Sequence, residues 1–248
     1  GGLATAIVAV LVLVVGVGAL SVLTRDRTGS PSVGAPVATP KASTGPKAVR
    51  AVFFGDALVA GADAGAGNLS FADVTARTLN WRSSSFGYPG SGYTTAGTFR
   101  GGRDYLARAE QLRGYDVDVL VLEGGLNDGN ADALLLSEKA SAVIARFREL
   151  LPKTQIVMMG PWSFRGQPLP AVIKIRDTLR QVAVDEGVPF VDPVGDRWIT
   201  GEYPRTGNAA QYISTSGLYP NTRGHAYFAE RLVERLKVLL PARLLPAV

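Results

Sequence analysis

Apolar residues recur along this chain with two different spacings, and each spacing predicts a type of secondary structure. The run Val-Asp-Val-Leu-Val-Leu-Glu at residues 117–123 is almost continuously apolar, which is typical of a strand buried on both faces. Residues 225–240 instead repeat apolar side chains every three to four positions, which predicts an amphipathic helix. By the same reasoning, strands are predicted at 50–54, 81–87, 117–123, 155–160 and 189–192, and helices at 71–79, 105–112, 131–151, 169–186 and 225–240.

From residue 48 onward, the predicted strands and helices alternate. Such alternation is typical of a parallel sheet covered by helices on both faces, so we predict an α/β fold with a three-layer α/β/α sandwich. Binding and catalytic sites in these folds lie at the carboxyl ends of the strands. The loops that directly follow the predicted strands are therefore the first places to seek chemistry.

The N-terminal segment has a different composition. Residues 3–23 carry no charge, and a helix of about 20 apolar residues can span a bilayer, whereas the core of a signal peptide is shorter. We predict a retained transmembrane anchor at 1–24, with cleavage near Ala19 as the alternative. Arg25 and Arg27, taken alone, would favour a cytoplasmic location for the remainder of the chain. Residues 25–48, rich in Ser, Pro, Gly and Ala, predict a flexible linker. We expect a single-pass protein of the cell membrane, with its domain at 49–248 on the extracytoplasmic side.

The composition excludes several kinds of chemistry. The chain has no cysteine, so a disulfide, a cysteine-ligated zinc ion and a cysteine nucleophile are all excluded. His225 is the only histidine, so a metal site with several histidines is excluded, and any serine–histidine mechanism would depend on this residue. The net charge is +5, but the basic residues are dispersed among acidic ones and indicate no nucleic-acid partner. No metal or cofactor is predicted.

Four loops carry motifs that occur together in one known family. They are Phe-Gly-Asp-Ala-Leu at 54–58, Gly-Tyr-Pro-Gly-Ser-Gly-Tyr at 87–93, Glu-Gly-Gly-Leu-Asn-Asp at 123–128 and Ser-Gly-Leu-Tyr-Pro-Asn-Thr-Arg-Gly-His at 216–225. In this order, they resemble the four sequence blocks of the SGNH (GDSL-type) hydrolases, and the resemblance extends from residue 48 to the end. It implies a flavodoxin-like three-layer fold and a site at the ends of the first three strands.

The resemblance also implies a role for each matching position. The nucleophilic serine of the family falls on Ala57, the orienting aspartate on Ser216 and the catalytic histidine on Tyr219. The two groups that stabilise the oxyanion fall on Gly90 and Asn127. All three triad positions therefore depart from the family pattern, whereas both oxyanion positions agree with it.

Other residues near the motifs have both a structural and a functional interpretation. Gly92 is a second possibility for the oxyanion glycine. Asp56 and Asp128 are expected to be structural carboxylates, and Thr94 and Thr95 to be hydrogen-bonding groups of the loop. A further set of aromatic residues in later loops is expected to pack in the ordinary way, with an aromatic platform for a sugar or a partner as the alternative: Trp162, Trp198, Tyr203 and Tyr212.

Loss of the triad predicts a domain without hydrolase activity. A methyl group cannot attack a carbonyl, and removing triad residues costs on the order of a million-fold in rate in a well-measured serine hydrolase. We therefore expect a binding or accessory module of the cell envelope, whose partners are the membrane, other membrane-protein subunits, or envelope glycan or lipid. One alternative is an active esterase or acyltransferase on acylated glycans or lipids, with a relocated site around His225 and Ser91. Another is a structural scaffold whose cleft is closed by Tyr219.

Overall fold

The computed structural model describes residues 48–97 and 101–246, and within these residues the strands form one parallel sheet. Its order is β2-β1-β3-β4-β5, and every neighbouring pair is parallel. The strands are β1 (Arg50–Gly55), β2 (Arg82–Gly87), β3 (Val119–Glu123), β4 (Gln155–Met159) and β5 (Phe190–Val191). β2 is added on one side of β1, and β3 and the later strands are added on the other side. The point between β1 and β3 where the order reverses is the topological switch point, where open α/β sheets form ligand sites.

Helices cover both faces of the sheet. Helices α1 (Phe71–Thr78) and α6 (Thr222–Leu239) pack together on one face, and the short α5 (Ala209–Tyr212) packs against α6. The opposite face carries α2 (Tyr105–Arg108), α3 (Ala133–Leu150) and α4 (Pro170–Asp185). Alternate side chains of β3 enter the two cores, with Val121 on the α1 side and Leu122 on the other. The predicted three-layer α/β/α sandwich is therefore confirmed.

Capping side chains determine where the helices begin. Ser70 Oγ accepts a hydrogen bond of 3.1 Å from Asp73 N at the start of α1. Asn221 Oδ1 accepts one of 2.9 Å from Gly224 N, so α6 begins at Thr222 rather than at the predicted residue 225. His225 consequently lies in the first turn of α6. The predicted helix at 105–112 is α-helical only as far as Arg108 and continues as a 3-10 helix.

The predicted N-terminal anchor lies outside the described residues, as does the linker up to residue 47. Within residues 48–97 and 101–246, no helix combines the length and the apolar character that crossing a bilayer requires.

Candidate ligand-binding cleft

A cleft of about 390 Å³ opens at the carboxyl edge of the sheet. Asp56, Asn127 and Tyr219 line it, so three of the four motif loops converge there. Its remaining walls are mostly apolar and come from the loops after β3 and β4, from α4 and from the loop before α6: Leu126, Gly129, Asn130, Trp162, Phe164, Leu169, Ala171, Val172, Ile175 and Leu218. The volume lies within the range of small-molecule sites in proteins.

The three positions to which the resemblance assigns the triad hold groups that cannot perform the family's proton transfers. Ala57 is only 3% exposed and offers a methyl group. Tyr219 is half-buried, and burial raises the pKa of its phenol, with the charges of Asp56 and Asp63 adding to the effect. The phenol therefore stays protonated at neutral pH and cannot act as a proton acceptor. Ser216 is exposed and carries no charge.

A carboxylate from a different loop contacts the position of the orienting acid. Asp63 Oδ2 accepts hydrogen bonds from Ser214 Oγ at 2.5 Å and from Ser216 Oγ at 2.7 Å. These two hydroxyls lower the pKa of Asp63. Asp63 lies between β1 and α1, 153 positions from Ser216, and it belongs to none of the four motifs. Sequence reasoning missed it, because no local pattern indicates that these two loops meet.

The side-chain amide of Asn127 donates two hydrogen bonds to other groups of the protein. Its Nδ2 atom donates to Asp56 Oδ2 and to the Ser91 carbonyl, each at 2.9 Å. A primary amide has two N–H donors, so neither remains for an oxyanion in this arrangement. Gly90 adopts a φ of 76° in the turn directly before Ser91. The structure thus brings the two predicted oxyanion residues close together, with the Asn127 donors already engaged.

The carboxylate of Asp128 holds the second motif loop in place. It accepts hydrogen bonds from Tyr93 N at 3.1 Å, Thr94 N at 2.7 Å and Thr94 Oγ1 at 2.8 Å. A Cβ atom at Gly92 would lie 2.6 Å from both carboxylate oxygens, so only glycine permits this approach. Thr95 Oγ1 adds a bond of 2.8 Å to the Asn127 carbonyl. These contacts tie the loop after β2 to the loop after β3.

Two buried carboxyl groups, Asp56 and Glu123, lie together at the ends of β1 and β3. Glu123 is fully buried, and its Oε1 atom has no hydrogen-bond partner. Burial raises the pKa of Glu123 well above its ordinary value, and the charge of Asp56 raises it further. Burial also raises the pKa of Asp56, to about 6, although the Leu58 N–H opposes this shift. Of the two carboxyl groups, Asp56 is the one that lines the cleft.

A buried cation lies behind the same loops. Arg108 donates to the Gly55 carbonyl at 2.9 Å and to the Phe86 carbonyl at 2.5 Å, and so joins the ends of β1 and β2. Its guanidinium carbon lies 4.5 Å from the centre of the Phe54 ring. Burial lowers the pKa of Arg108, but its charge still favours an ionised Asp56. Neither Arg108 nor Glu123 was identified from the sequence, although a glutamate that ends an apolar strand was a visible signal.

His225 and Ser91 are both buried and have separate sets of partners. The Nδ1 atom of His225 accepts from Phe71 N at 3.1 Å, and its Nε2 atom donates to the Ala62 carbonyl at 2.9 Å. Burial lowers the pKa of His225, so the ring is neutral with both nitrogens engaged. Ser91 Oγ donates to the Tyr88 carbonyl at 2.8 Å. Among the described residues that line the cleft, neither His225 nor Ser91 is present.

The four aromatic residues that the sequence places in later loops differ in their surroundings. Trp162 and Trp198 are buried, and each meets the Phe228 ring edge-on, at centroid distances of 5.5 and 5.4 Å. Tyr212 stacks on Tyr227 at 4.4 Å. These contacts are ordinary packing, but Trp162 also lines the cleft, and Tyr203 lines a second hollow next to it. Within residues 48–97 and 101–246, no three His, Cys, Asp or Glu side chains are grouped so that they could hold a metal ion.

Known proteins share both the motifs and the fold of this chain. Residues 53–227 match the model of the GDSL-like lipase/acylhydrolase family. A GDSL lipase of Mycobacterium tuberculosis is 29% identical over 141 residues, which are 55% of this chain and 56% of that protein, so the match spans about half of the relative's length. The native aryl esterase of Mycobacterium smegmatis superposes with a TM-score of 0.59 at 16% identity, over 78% of this chain and 100% of that one. A family two carbohydrate esterase of Clostridium thermocellum, in complex with cellohexaose, gives a TM-score of 0.58 at 21% identity, over 82% and 66% of the two chains. At these identities, the two solved structures show the fold alone.

Proposed function

The chain belongs to the GDSL-like lipase/acylhydrolase family, and we propose that it is a non-catalytic member that binds an acyl or alkyl group in its cleft. The observation that carries this proposal is a cleft that stays open while the residues around it lack the reactive groups of a serine hydrolase. Hydrolysis requires a nucleophile, a base and an oxyanion donor at one place. Ala57 and Tyr219 supply neither of the first two, and the donors of Asn127 are engaged.

The chemistry of the walls indicates the class of ligand. Apolar side chains of α4 and of the loops after β3 and β4 line most of the cleft, and Asp56 is the one ionisable carboxyl group among its described lining residues. At the mouth, Leu169 is 46% exposed and Leu218 is 56% exposed. Each CH₂ group moved from water into such a site contributes about 0.8 kcal/mol. A chain of five methylenes would thus contribute about 4 kcal/mol before the costs of association.

We further propose that this domain is displayed outside the cell membrane as a single-pass binding or accessory module of the envelope. The uncharged run at 3–23 and the Ser/Pro/Gly-rich residues after it support this location. The ligand would then be an acylated glycan or lipid of the envelope, presented alone or by another membrane-protein subunit. A carbohydrate esterase among the proteins of the same fold is consistent with a glycan.

The alternative of a relocated active site would require His225 to act as a base. Its ring would have to give up the Phe71 N–H and the Ala62 carbonyl, and both of those buried groups would be left unsatisfied. A serine-directed fluorophosphonate tests this directly. We expect no covalent labelling of the folded protein, whereas labelling that disappears in His225→Ala would favour the enzyme.

Binding can be tested with the full chain in nanodiscs of zwitterionic lipid and hexyl glucoside as the probe. Ala171 and Lys174 lie on α4, and of these two only Ala171 lines the cleft. We expect saturable binding that Ala171→Trp weakens at least tenfold, because the indole fills the cleft, and that Lys174→Trp leaves unchanged. Empty nanodiscs correct for partition into lipid. Equal binding by the two variants would contradict the proposal, and absence of any saturable binding would favour a structural scaffold.

A further inference from the structure

A second hollow of about 260 Å³ adjoins the cleft. Phe164 lines both cavities, and Gly217 in the hollow directly precedes Leu218 in the cleft. A ligand whose alkyl chain occupies the cleft can therefore extend its other end into this hollow. The described residues that line it are Phe164, Arg165, Glu202, Tyr203, Arg205 and Gly217.

The charges around the hollow differ from those of the cleft. Arg165 and Arg205 line it together with one carboxylate, Glu202, so its lining carries a net charge of +1, whereas Asp56 is the charged residue of the cleft. Among the described residues, no carboxylate lies within ion-pair distance of the Arg165 or Arg205 guanidinium. Two guanidinium groups without a carboxylate partner among the described residues remain available to an anionic ligand.

The backbone holds these two arginines on a connected frame. Arg165 forms an antiparallel bridge with Glu202, and Gly166 N donates to the Gly201 carbonyl at 2.7 Å. The Glu202 carbonyl accepts from Arg205 N, also at 2.7 Å, so the segment that carries Arg205 folds back on itself. Because these bonds already exist without a ligand, little ordering of the backbone opposes binding.

Aromatic side chains complete the hollow. Phe164 and Tyr203 are both half-buried and pack against the core cluster on the α1 and α6 side of the sheet. The Arg165 guanidinium lies 4.9 Å from the centre of the Phe164 ring, which limits its range of positions. The hollow therefore offers two aromatic side chains and two cations, of which Arg165 is held over a ring, next to an apolar cleft.

We propose that the ligand of this protein is an anionic amphiphile, whose alkyl or acyl chain lies in the cleft and whose carboxylate, phosphate or sulfate is bound by Arg165 and Arg205. This inference rests on the proposed function and adds the charge of the ligand to it. The anionic group can belong to a lipid phosphate or to an acidic sugar, because both offer oxygens to guanidinium donors.

The test compares ligands that differ in charge and share one chain. Hexyl glucuronide and hexyl glucoside differ by a carboxylate in place of a hydroxymethyl group, and hexyl phosphate represents the lipid source. Calorimetric titration of the full chain in zwitterionic nanodiscs should show the glucuronide or the phosphate binding about tenfold more tightly than the glucoside, as expected for charge-assisted hydrogen bonds. The anion that shows the larger preference identifies the source. We expect this preference to shrink as ionic strength rises.

Two double variants separate the hollow from general charge effects. Arg165→Gln with Arg205→Gln should abolish the preference for the anion, whereas hexyl glucoside should still bind saturably, which shows that the domain is folded. Arg180→Gln with Arg243→Gln removes the same charge from exposed positions elsewhere and should retain the preference. A preference that persists without Arg165 and Arg205, or no preference in the parent protein, would overturn the inference and leave the proposed function standing. Failure of hexyl glucoside itself to bind would overturn both.

Discussion

Ser216 Oγ donates a hydrogen bond of 2.7 Å to Asp63 Oδ2, across the loops that follow β1 and precede α6. The resemblance to the family assigns to position 216 the aspartate that orients the catalytic histidine. Here the carboxylate is supplied from another loop, and a neutral hydroxyl stands where the family has a charge. Restoring the aspartate at position 216 would therefore place two carboxylates in contact, and like charges at that distance disfavour each other.

This relationship predicts how the triad can be rebuilt. The substitutions Ala57→Ser, Ser216→Asp and Tyr219→His should give slow hydrolysis of p-nitrophenyl acetate, and adding Asp63→Asn should raise the rate. Asparagine tolerates the positive φ of 61° at position 63 and can donate to the new carboxylate. Ser216→Asp alone should lower the free energy of unfolding by about 1 kcal/mol or less, since the site is exposed. Equal rates with and without Asp63→Asn would show that the two carboxylates do not interact.

The apolar walls of the cleft predict a dependence on chain length. Each added methylene of an alkyl glucoside should tighten binding about fourfold, which corresponds to about 0.8 kcal/mol, until the chain fills the cleft. Titrations with butyl, pentyl, hexyl and heptyl glucosides provide the measurement. Ala171→Trp should end the increase at a shorter chain. An affinity independent of chain length would mean that the alkyl group does not enter the cleft.

His225 predicts a loss of stability at acidic pH. Its folded-state pKa lies below the usual value of 6.5 because the ring is buried, so the unfolded chain binds a proton first as the pH falls. Its contribution to stability is complete above pH 6.5 and is lost as the pH falls below that value. In urea denaturation between pH 5 and 8, the stability of the parent protein relative to His225→Gln should therefore fall as the pH drops below 6.5, whereas a difference that is constant over this range would contradict the prediction.

The same residue provides a test of its structural role. His225→Ala should cost about 3 kcal/mol of unfolding free energy, because it leaves a cavity and two unsatisfied buried backbone groups. The variant should bind hexyl glucoside with the parent affinity at a temperature where it remains folded. Loss of binding in a fully folded variant would instead connect His225 with the ligand.

The buried carboxyl pair predicts a dependence on pH of the opposite sign. Because burial raises the folded-state pKa of Glu123, the unfolded chain loses this proton first as the pH rises, and the native state becomes less stable. Glu123→Gln keeps the neutral shape and cannot ionise. The unfolding free energy of Glu123→Gln minus that of the parent should therefore be near zero at pH 4 and increase steadily toward pH 8. A constant difference across this range would mean that Glu123 is ionised in the folded protein.

Local sequence patterns predict most of the fold. The apolar run that contains β3 and the periodicities of α3, α4 and α6 depend on neighbours a few positions apart, and the structure has these elements where they were predicted. The observed boundaries differ from the predicted ones where a single hydrogen bond decides them. The cap at Asn221, for example, starts α6 three residues before the predicted start. The short α5 was missed, because four residues carry too little periodicity to predict a helix.

The candidate site could be predicted only in part. Its motif residues are local, so Asp56, Asn127 and Tyr219 could be assigned to one cleft from their positions after strands and before α6. The contact between Asp63 and Ser216, the raised pKa of Glu123 and the cleft wall from α4 all depend on tertiary packing. None of these has a pattern in the sequence, because the packed groups are far apart along the chain.

The most direct test of the account is equilibrium dialysis of the full chain in nanodiscs against p-nitrophenyl hexanoate, with the intact ester and released p-nitrophenol measured together. We predict that the ester is concentrated on the protein side relative to empty nanodiscs, that Ala171→Trp abolishes this excess, and that p-nitrophenol appears at the rate of buffer alone. Release above the buffer rate that depends on His225, or no excess of ester on the protein side, would contradict a cleft that binds acyl groups without hydrolysing them.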